Sequence, residues 1–290
     1  MSESRAWSEV APPGAGTKVA LALVHSNVFI SLAATSWVVT TIVLADLPVD
    51  PLPLCIVFAV TLFVYSLNRF TDIDEDEFNV PGRATFTKQY GRATVLVGLL
   101  GYLLVVAVGI YRDIPRVELL LAPLVVISLY SIVGLKRLLL VKNLLVGLAW
   151  AGIPLGVGVY YGVARTTEIL VLTGYVLAML TIAAVIFDLK DIVGDRREGI
   201  RTIPRVVGTR WTRLGCAAAT ICVGLALVLV VAIGLVGPRY LVLLALSGYV
   251  LAYSLLADPD ATPLFYGFVV DGEHVFLAAI VVALEAGGFL

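Results

Sequence analysis

Two short stretches of this chain concentrate carboxylates at helical spacing. The first reads Asn68-Arg69-Phe70-Thr71-Asp72-Ile73-Asp74-Glu75-Asp76, the second Asp188-Leu189-Lys190-Asp191-Ile192-Val193-Gly194-Asp195. As helices, they set Asn68, Asp72 and Asp76 in a stripe about 80° wide, and Asp188, Asp191 and Asp195 in an arc of about 60°. Stacked carboxylates repel: two unit charges ~4 Å apart cost about 4 kcal/mol at an effective dielectric of ~20. Such stacks at a membrane boundary call for a compensating cation. Oxygen donors without histidine or cysteine select a hard ion, and Mg²⁺ is the one that keeps waters and shares its coordination with phosphate oxygens. One ion on each motif would let two ions grip a diphosphate between them. Asp74, Glu75 and Glu77 point off the stripe and are expected in solvent. The bland alternative is a pair of solvated loops. It is weakened because both runs extend apolar segments in register.

The elements that must position these groups are membrane spans. The chain of 290 residues is 60% hydrophobic and 14% charged, with a mean hydropathy of +1.01. A soluble domain of this size carries far more surface charge. Apolar runs between polar or Pro/Gly breaks predict nine helices, at 19–45, 51–69, 94–111, 117–135, 143–164, 168–187, 214–236, 240–257 and 266–289. The last is the weakest, because Asp271, Glu273 and His274 sit near its start. A polar segment over 1–18 precedes a single transmembrane domain over 19–290.

With the N-terminus and the stretches after helices two, four and six on one side, sixteen lysines and arginines fall there and four on the other. That asymmetry predicts a cytoplasmic N-terminus and cytoplasmic acidic loops of an integral, multi-pass cell-membrane protein. The net charge of −1 gives no case for nucleic-acid binding, and no obligate protein partner is evident. Cys55, Cys216 and Cys222 lie in apolar runs without paired spacing and read as core residues. His25 and His274 are too far apart to suggest zinc.

The ordered pair of motifs resembles the signatures of the UbiA superfamily of intramembrane prenyltransferases. Asn68, Asp72 and Asp76 match that family's NDxxDxxxD, with Arg69 in place of the usual acid. Asn79-Val80-Pro81-Gly82-Arg83 keeps the Asn, the Pro and the last Arg of the element that follows. Asp188, Asp191, Gly194 and Asp195 match the second motif, while Ala183 and Phe187 replace its Tyr and Lys. Gly199-Ile200-Arg201-Thr202-Ile203-Pro204 is similar to its continuation, and Tyr130-Ser131 through Lys136 to Asn143 and Gly147 to the stretch between helices four and five. The resemblance spans about residues 60 to 208. It implies an all-α bundle around a central cavity open to the bilayer, capped on the cytoplasmic side by the loops after helices two and six.

The resemblance also implies a chemistry: Mg²⁺-assisted departure of diphosphate from an isoprenyl diphosphate donor, then capture of the allylic cation by a lipophilic acceptor, aromatic or lipid. Asn68, Asp72, Asp76, Asp191 and Asp195 would hold the metal. Asp188 would be a further ligand or the base that takes the acceptor's proton, and Asp188 and Asp191 are the catalytic candidates. Leaving-group charge invites cationic partners, here Arg69, Arg83, Lys88, Lys142 and Arg201, with Lys136 and Lys190 behind them. Anchoring beside lipid headgroups is the alternative for each. Tyr65, Tyr130 and Tyr175 would offer ring faces to the cation or simply pack. Asn27, inside the polar His25-Ser26-Asn27 cluster, and Asn143 would line the acceptor or isoprenoid pocket, or satisfy neighbouring helices.

Three rival readings stand beside this one. A membrane terpene cyclase or diphosphate-eliminating enzyme would use the same metals without an acceptor. A cation transporter would place its carboxylates nearer the midplane. A scaffold derived from the family has no use for a full ligand set.

Overall fold

The computed structural model describes residues 14–125, 139–197 and 199–290. Tyr130, Lys136 and most of the expected fourth span lie outside them. Twelve α-helices are found among the described residues: α1 (Ala15–His25), α2 (Val28–Leu44), α3 (Pro51–Thr71), α4 (Ile73–Asn79), α5 (Pro81–Tyr111), α6 (Val141–Tyr160), α7 (Thr167–Phe187), α8 (Ile192–Arg197), α9 (Ile203–Val207), α10 (Thr209–Ala232), α11 (Leu243–Leu256) and α12 (Glu273–Ala286). Short 3₁₀ turns precede α11 and follow α5, and a π-helical turn, Phe265–Val270, precedes α12. Among the described residues seven helices are long and apolar enough to cross a membrane, or eight counting one bent pair.

That bent pair corrects the first expected span. The run 19–45 is not one straight rod, because α1 and α2 meet at 69°. Asn27 sits at the break in the left-handed region, φ 63°, a conformation asparagine tolerates better than most residues. Its buried amide donates to Ser66 Oγ on α3 at 3.3 Å, so Asn27 serves as an interhelical tie. None of the residues of α1 is buried.

The third span is also corrected. It starts at Pro81, not 94, because proline at the first helical position is pre-set for a helix and Val80, at φ −143° and ψ 73°, is not helical. At 31 residues α5 runs about 46 Å, longer than the ~30 Å hydrocarbon layer. Its first turns therefore emerge at the acidic end of the bundle. The stretches 70–93 and 188–213 thus hold short helices and helix ends, α4, α8 and α9 among them, joined by turns.

Packing follows small residues. α3 lies against α5 where a Cβ on Gly98 would come within 2.8 Å of the Phe63 Cα. α6 lies against α7 where a Cβ on Gly147 would collide with Thr181 Oγ1 and the Leu177 carbonyl. Small residues at such crossings let backbones approach, which drives association where lipid supplies no hydrophobic force. Gly147→Val should cost about 3 kcal/mol, read as a lower thermal unfolding midpoint in detergent, whereas Gly152→Val, with nothing within 4 Å of its Cβ, should leave it unchanged.

α2 contacts α3, α6 and α12, and α7 joins α6 to α10 and α11. The core is led by Trp37, Leu172, Met179, Ile186, Leu246 and Leu277, while Leu104, Leu225 and Leu229 point outward into lipid. Cys55 and Cys222 are exposed on that outer surface and only Cys216 is buried, which corrects the expectation of three core cysteines. At the end remote from the acidic motifs, Asp50 caps α3 through the Leu52 amide at 2.9 Å. The same carboxylate takes Arg112 and, at 2.7 Å, the Tyr160 hydroxyl, so the ends of α3, α5 and α6 meet there.

Candidate active site

The two acidic segments come together because α4 packs on α8. Both keep helical register across a change of element. Asp72 ends α3 with φ −104° and ψ 25°, yet its amide still reaches the Asn68 carbonyl at 3.0 Å, and the Asp76 amide reaches that of Asp72 at 3.0 Å. On the other side, the Asp195 amide bonds the Asp191 carbonyl at 2.8 Å. Gly194 permits the contact: a Cβ there would strike the Asn79 side chain at the end of α4. Arg197 then lies over the Phe78 ring at 4.7 Å.

Cations sit among these acids. Arg83, on the first turn of α5, donates Nε to Asp76 Oδ2 at 2.7 Å and a second N–H to Oδ1, a bidentate pair, and Arg69 Nη1 stands 3.9 Å from the same carboxylate. Burial pushes the Asp76 carboxyl up, but Arg83 and Arg69 outweigh it and hold the group below the usual carboxylate range. Lys142, at the start of α6, is 2.8 Å from Asp188 Oδ1 and 3.8 Å from Asp195 Oδ2. Asn143 donates to Asp188 Oδ2 at 3.0 Å. Burial still raises Asp188 above its ordinary value despite both partners. Asp195 is pushed up to about 6 by burial, with Asp188 and Asp191 adding to the shift and Lys142 opposing it. Lys190 Nζ lies 3.0 Å from both oxygens of Asp191.

Lys88 and Arg201 fall outside this core. Lys88 pairs with exposed Glu77, and Arg201 is exposed between α8 and α9. Arg205 instead ties that segment down, donating to the Asp195 carbonyl at 2.8 Å and to that of Ile200. Asp74 is exposed. Tyr175 is a packing residue, its hydroxyl donating to the Leu243 carbonyl at 2.7 Å. Lys190, a lesser candidate from the sequence, stands within electrostatic reach of Asp76 and Asp271, and one member was missed: Asp271, within reach of Arg69, Lys190 and Arg83. An acid inside an apolar run was the available signal for Asp271.

The residues fit a hard divalent ion. Asp195 Oδ2 is buried without a hydrogen-bond partner, with the Lys142 ammonium 3.8 Å away, a cost that a cation in direct contact would relieve. Among the described residues no three acidic, histidine or cysteine side chains stand together as a group that could hold a metal ion by themselves, so an ion here would need water or phosphate oxygens to complete its shell.

An apolar cavity of about 400 Å³ lies between α3, α6 and the stretch after α5; Tyr65 and Trp150 line it, and it runs on to Pro53, Arg116 and Tyr160 at the end remote from the acids. Tyr65 lies three residues from Asn68 along α3, about one helical turn below the acids. Asn27 and Asn143 are not among the lining residues.

A multi-pass helical bundle with carboxylates and cations interleaved at one end defines an integral membrane protein with a charged site at one end of its spans. The chain belongs to the UbiA prenyltransferase family, whose profile matches residues 19–269. It is a prenyltransferase. It is 28% identical over 229 residues to the digeranylgeranylglyceryl phosphate synthase of Haloquadratum walsbyi, covering 75% of this chain and 76% of that one. Its fold is similar to the apo structure of a UbiA homolog from Aeropyrum pernix K1, with TM-score 0.66 at 17% identity over 90% of this chain and 98% of that one. It is also similar to a UbiA homolog from Archaeoglobus fulgidus bound to GPP and Mg²⁺, with TM-score 0.62 at 14% identity over 92% and 99% of the two chains.

Proposed function

We propose that this chain transfers a geranylgeranyl-type group from its diphosphate to the hydroxyl of a glycerophosphate lipid, with Mg²⁺ held by Asn68, Asp72 and Asp76 on one side and Asp191 and Asp195 on the other. The observation that carries this reading is the packing of α4 on α8, which brings the two acidic segments together at one end of the bundle. The acceptor class rests on the name of the curated relative, a synthase of digeranylgeranylglyceryl phosphate.

When bound, two Mg²⁺ ions would neutralise charge on the departing diphosphate. Arg83, Arg69 and Lys190 line the same mouth, where they receive the leaving group by exchanging carboxylate partners for phosphate oxygens. Lys142 and Asn143 hold both oxygens of Asp188, so Asp188 shapes the site in the resting state and accepts a proton only after Lys142 moves. The cavity walls exclude water, which would otherwise quench an allylic cation. Tyr65, one helical turn from Asn68 and lining the cavity, would offer its ring to the donor's reacting end. The lysine and arginine asymmetry puts this mouth, with the N-terminus, on the cytoplasmic side.

The test is an assay of the purified protein in detergent with Mg²⁺, geranyl and geranylgeranyl diphosphates, and a panel of glycerophosphate, prenylated glycerophosphate and hydroxybenzoate acceptors. Ether product with a glycerophosphate acceptor, abolished by EDTA and restored by Mg²⁺, is the expected result. Prenylated benzoate would replace the acceptor assignment, and product from donor alone would replace transfer with cyclisation or elimination. Full turnover in EDTA would remove the metal.

A further inference from the structure

Resting on the isoprenyl-donor reading, we infer that Trp150 is the residue that distinguishes a donor of one isoprene unit from longer ones, and that His274 is the positioning residue that holds it. The starting point is a buried polar chain that the diphosphate chemistry does not use. Trp37 Nε1 donates to His274 Nδ1 at 3.1 Å, so that nitrogen carries no proton. The His274 ring lies 4.6 Å from the Trp150 ring, and Trp150 Nε1 donates to the Tyr65 hydroxyl at 3.2 Å. Beside them, Glu273 Oε2 accepts from Tyr253 at 2.7 Å. Its Oε1 is buried without a hydrogen bond, 3.6 Å from His274 Nδ1.

Ionisable side chains inside a membrane bundle are costly and signal function. These two are wholly enclosed, His274 at 2% and Glu273 at 0% exposure. Their position depends on the π-helical turn Phe265–Val270 just before them, an irregularity that recurs at functional sites. The chain has one face on a ligand space. Trp150 and Tyr65 line the cavity, while His274 and Trp37 stand behind that wall.

Depth decides what Trp150 reads. It follows Asn143, which bonds Asp188, by seven residues along α6, about 10 Å of rise. An isoprene unit adds four chain carbons, roughly 5 Å at ordinary C–C bond lengths. A five-carbon tail anchored at the carboxylates ends above Trp150, whereas the second unit of a longer tail lies against its indole. Below it the cavity continues to Tyr160, leaving room for further units. A fixed indole face gives an alkene-rich chain a large, rigid contact.

The experiment is calorimetric titration of the purified protein in detergent, with Mg²⁺, against dimethylallyl, geranyl and geranylgeranyl diphosphates. Trp150→Leu should bind the two longer donors about tenfold more weakly and dimethylallyl diphosphate within about twofold of wild type. His274→Ala should shift in the same direction. His274→Gln, whose amide oxygen keeps an acceptor for the Trp37 N–H, should restore the native ratio. Should Trp150→Leu not fold, Trp150→Phe reads the same contact and should lose about threefold for the longer donors only. An equal loss for all three donors, or no change in their ratio, overturns the inference. So does a wild type that binds all three equally. Wild type binding none of them would overturn the proposed function itself.

Discussion

Asp191→Ala and, separately, Asp72→Ala lower the rate of prenyl transfer by about 10²–10³-fold, the scale on which enzymes lose a single preorganised charge partner. The two residues come from different segments, one ending α3 and one preceding α8, so parallel losses would mean that both segments serve the same reaction. The substitutions should leave the thermal unfolding midpoint close to wild type. Asp72 and Asp191 are only partly buried, and removing either relieves crowding among like charges. Asp74→Ala is the internal control. Its side chain is exposed on α4, and turnover should stay within about twofold, as for surface substitutions generally. If turnover survives in both Asp72→Ala and Asp191→Ala, the assignment of these carboxylates to the chemistry fails.

Arg83→Leu is expected to act on stability first. The Arg83 and Asp76 side chains are 13% and 4% exposed, and the guanidinium grips the carboxylate through two N–H groups. Removing one member of a buried pair strands the other, and such changes typically cost about 3–5 kcal/mol. Arg69, at 3.9 Å, offsets part of this. Asp76 is also one of the proposed metal ligands, so the penalty should depend on divalent ions. Without them the unfolding midpoint falls steeply, and with millimolar Mg²⁺ and a non-hydrolysable diphosphate much of the loss returns by mass action. A midpoint indifferent to Arg83→Leu would show the pair to be geometrically close but energetically idle. A loss that Mg²⁺ and diphosphate do not recover would separate Asp76 from the metal site.

The acidic motifs could be read in one dimension because their spacing is local. Asn68, Asp72 and Asp76 repeat with the helix, and the chain keeps that repeat even where α3 gives way to α4. The apolar runs were equally plain, since lipid-facing helices advertise themselves residue by residue. What could not be read was anything set by a break or by a partner far along the chain. Asn27 read equally as a pocket residue or as an interhelical tie, inside what looked like a straight span. In the fold it turns the chain and bonds Ser66, and no local pattern names that partner. The start of α5 was placed thirteen residues late because a hydropathy reading stops at charged residues, whereas Pro81 starts a helix regardless of polarity. Lys88 and Arg201 carried the right charge for diphosphate, but side-chain direction, not composition, decides whether a cation faces the mouth. Asp271 and His274 were visible only as blemishes in a weak final span. Their neighbours, Arg83 and Trp37, lie far upstream, and the π turn that aims them leaves no signature in the spacing of apolar residues.

The bundle's two ends differ in how firmly they are tied. At the remote end Asp50 gathers a backbone amide, Arg112 and the Tyr160 hydroxyl, and these partners hold its carboxyl down at about 2, so it is ionised near neutral pH. At the other end the helices are held by cation–carboxylate contacts that an incoming diphosphate can trade away. The molecule therefore works like a clothes-peg: a sprung, permanently fastened base, and jaws whose grip is loosened and remade by the cargo they seize.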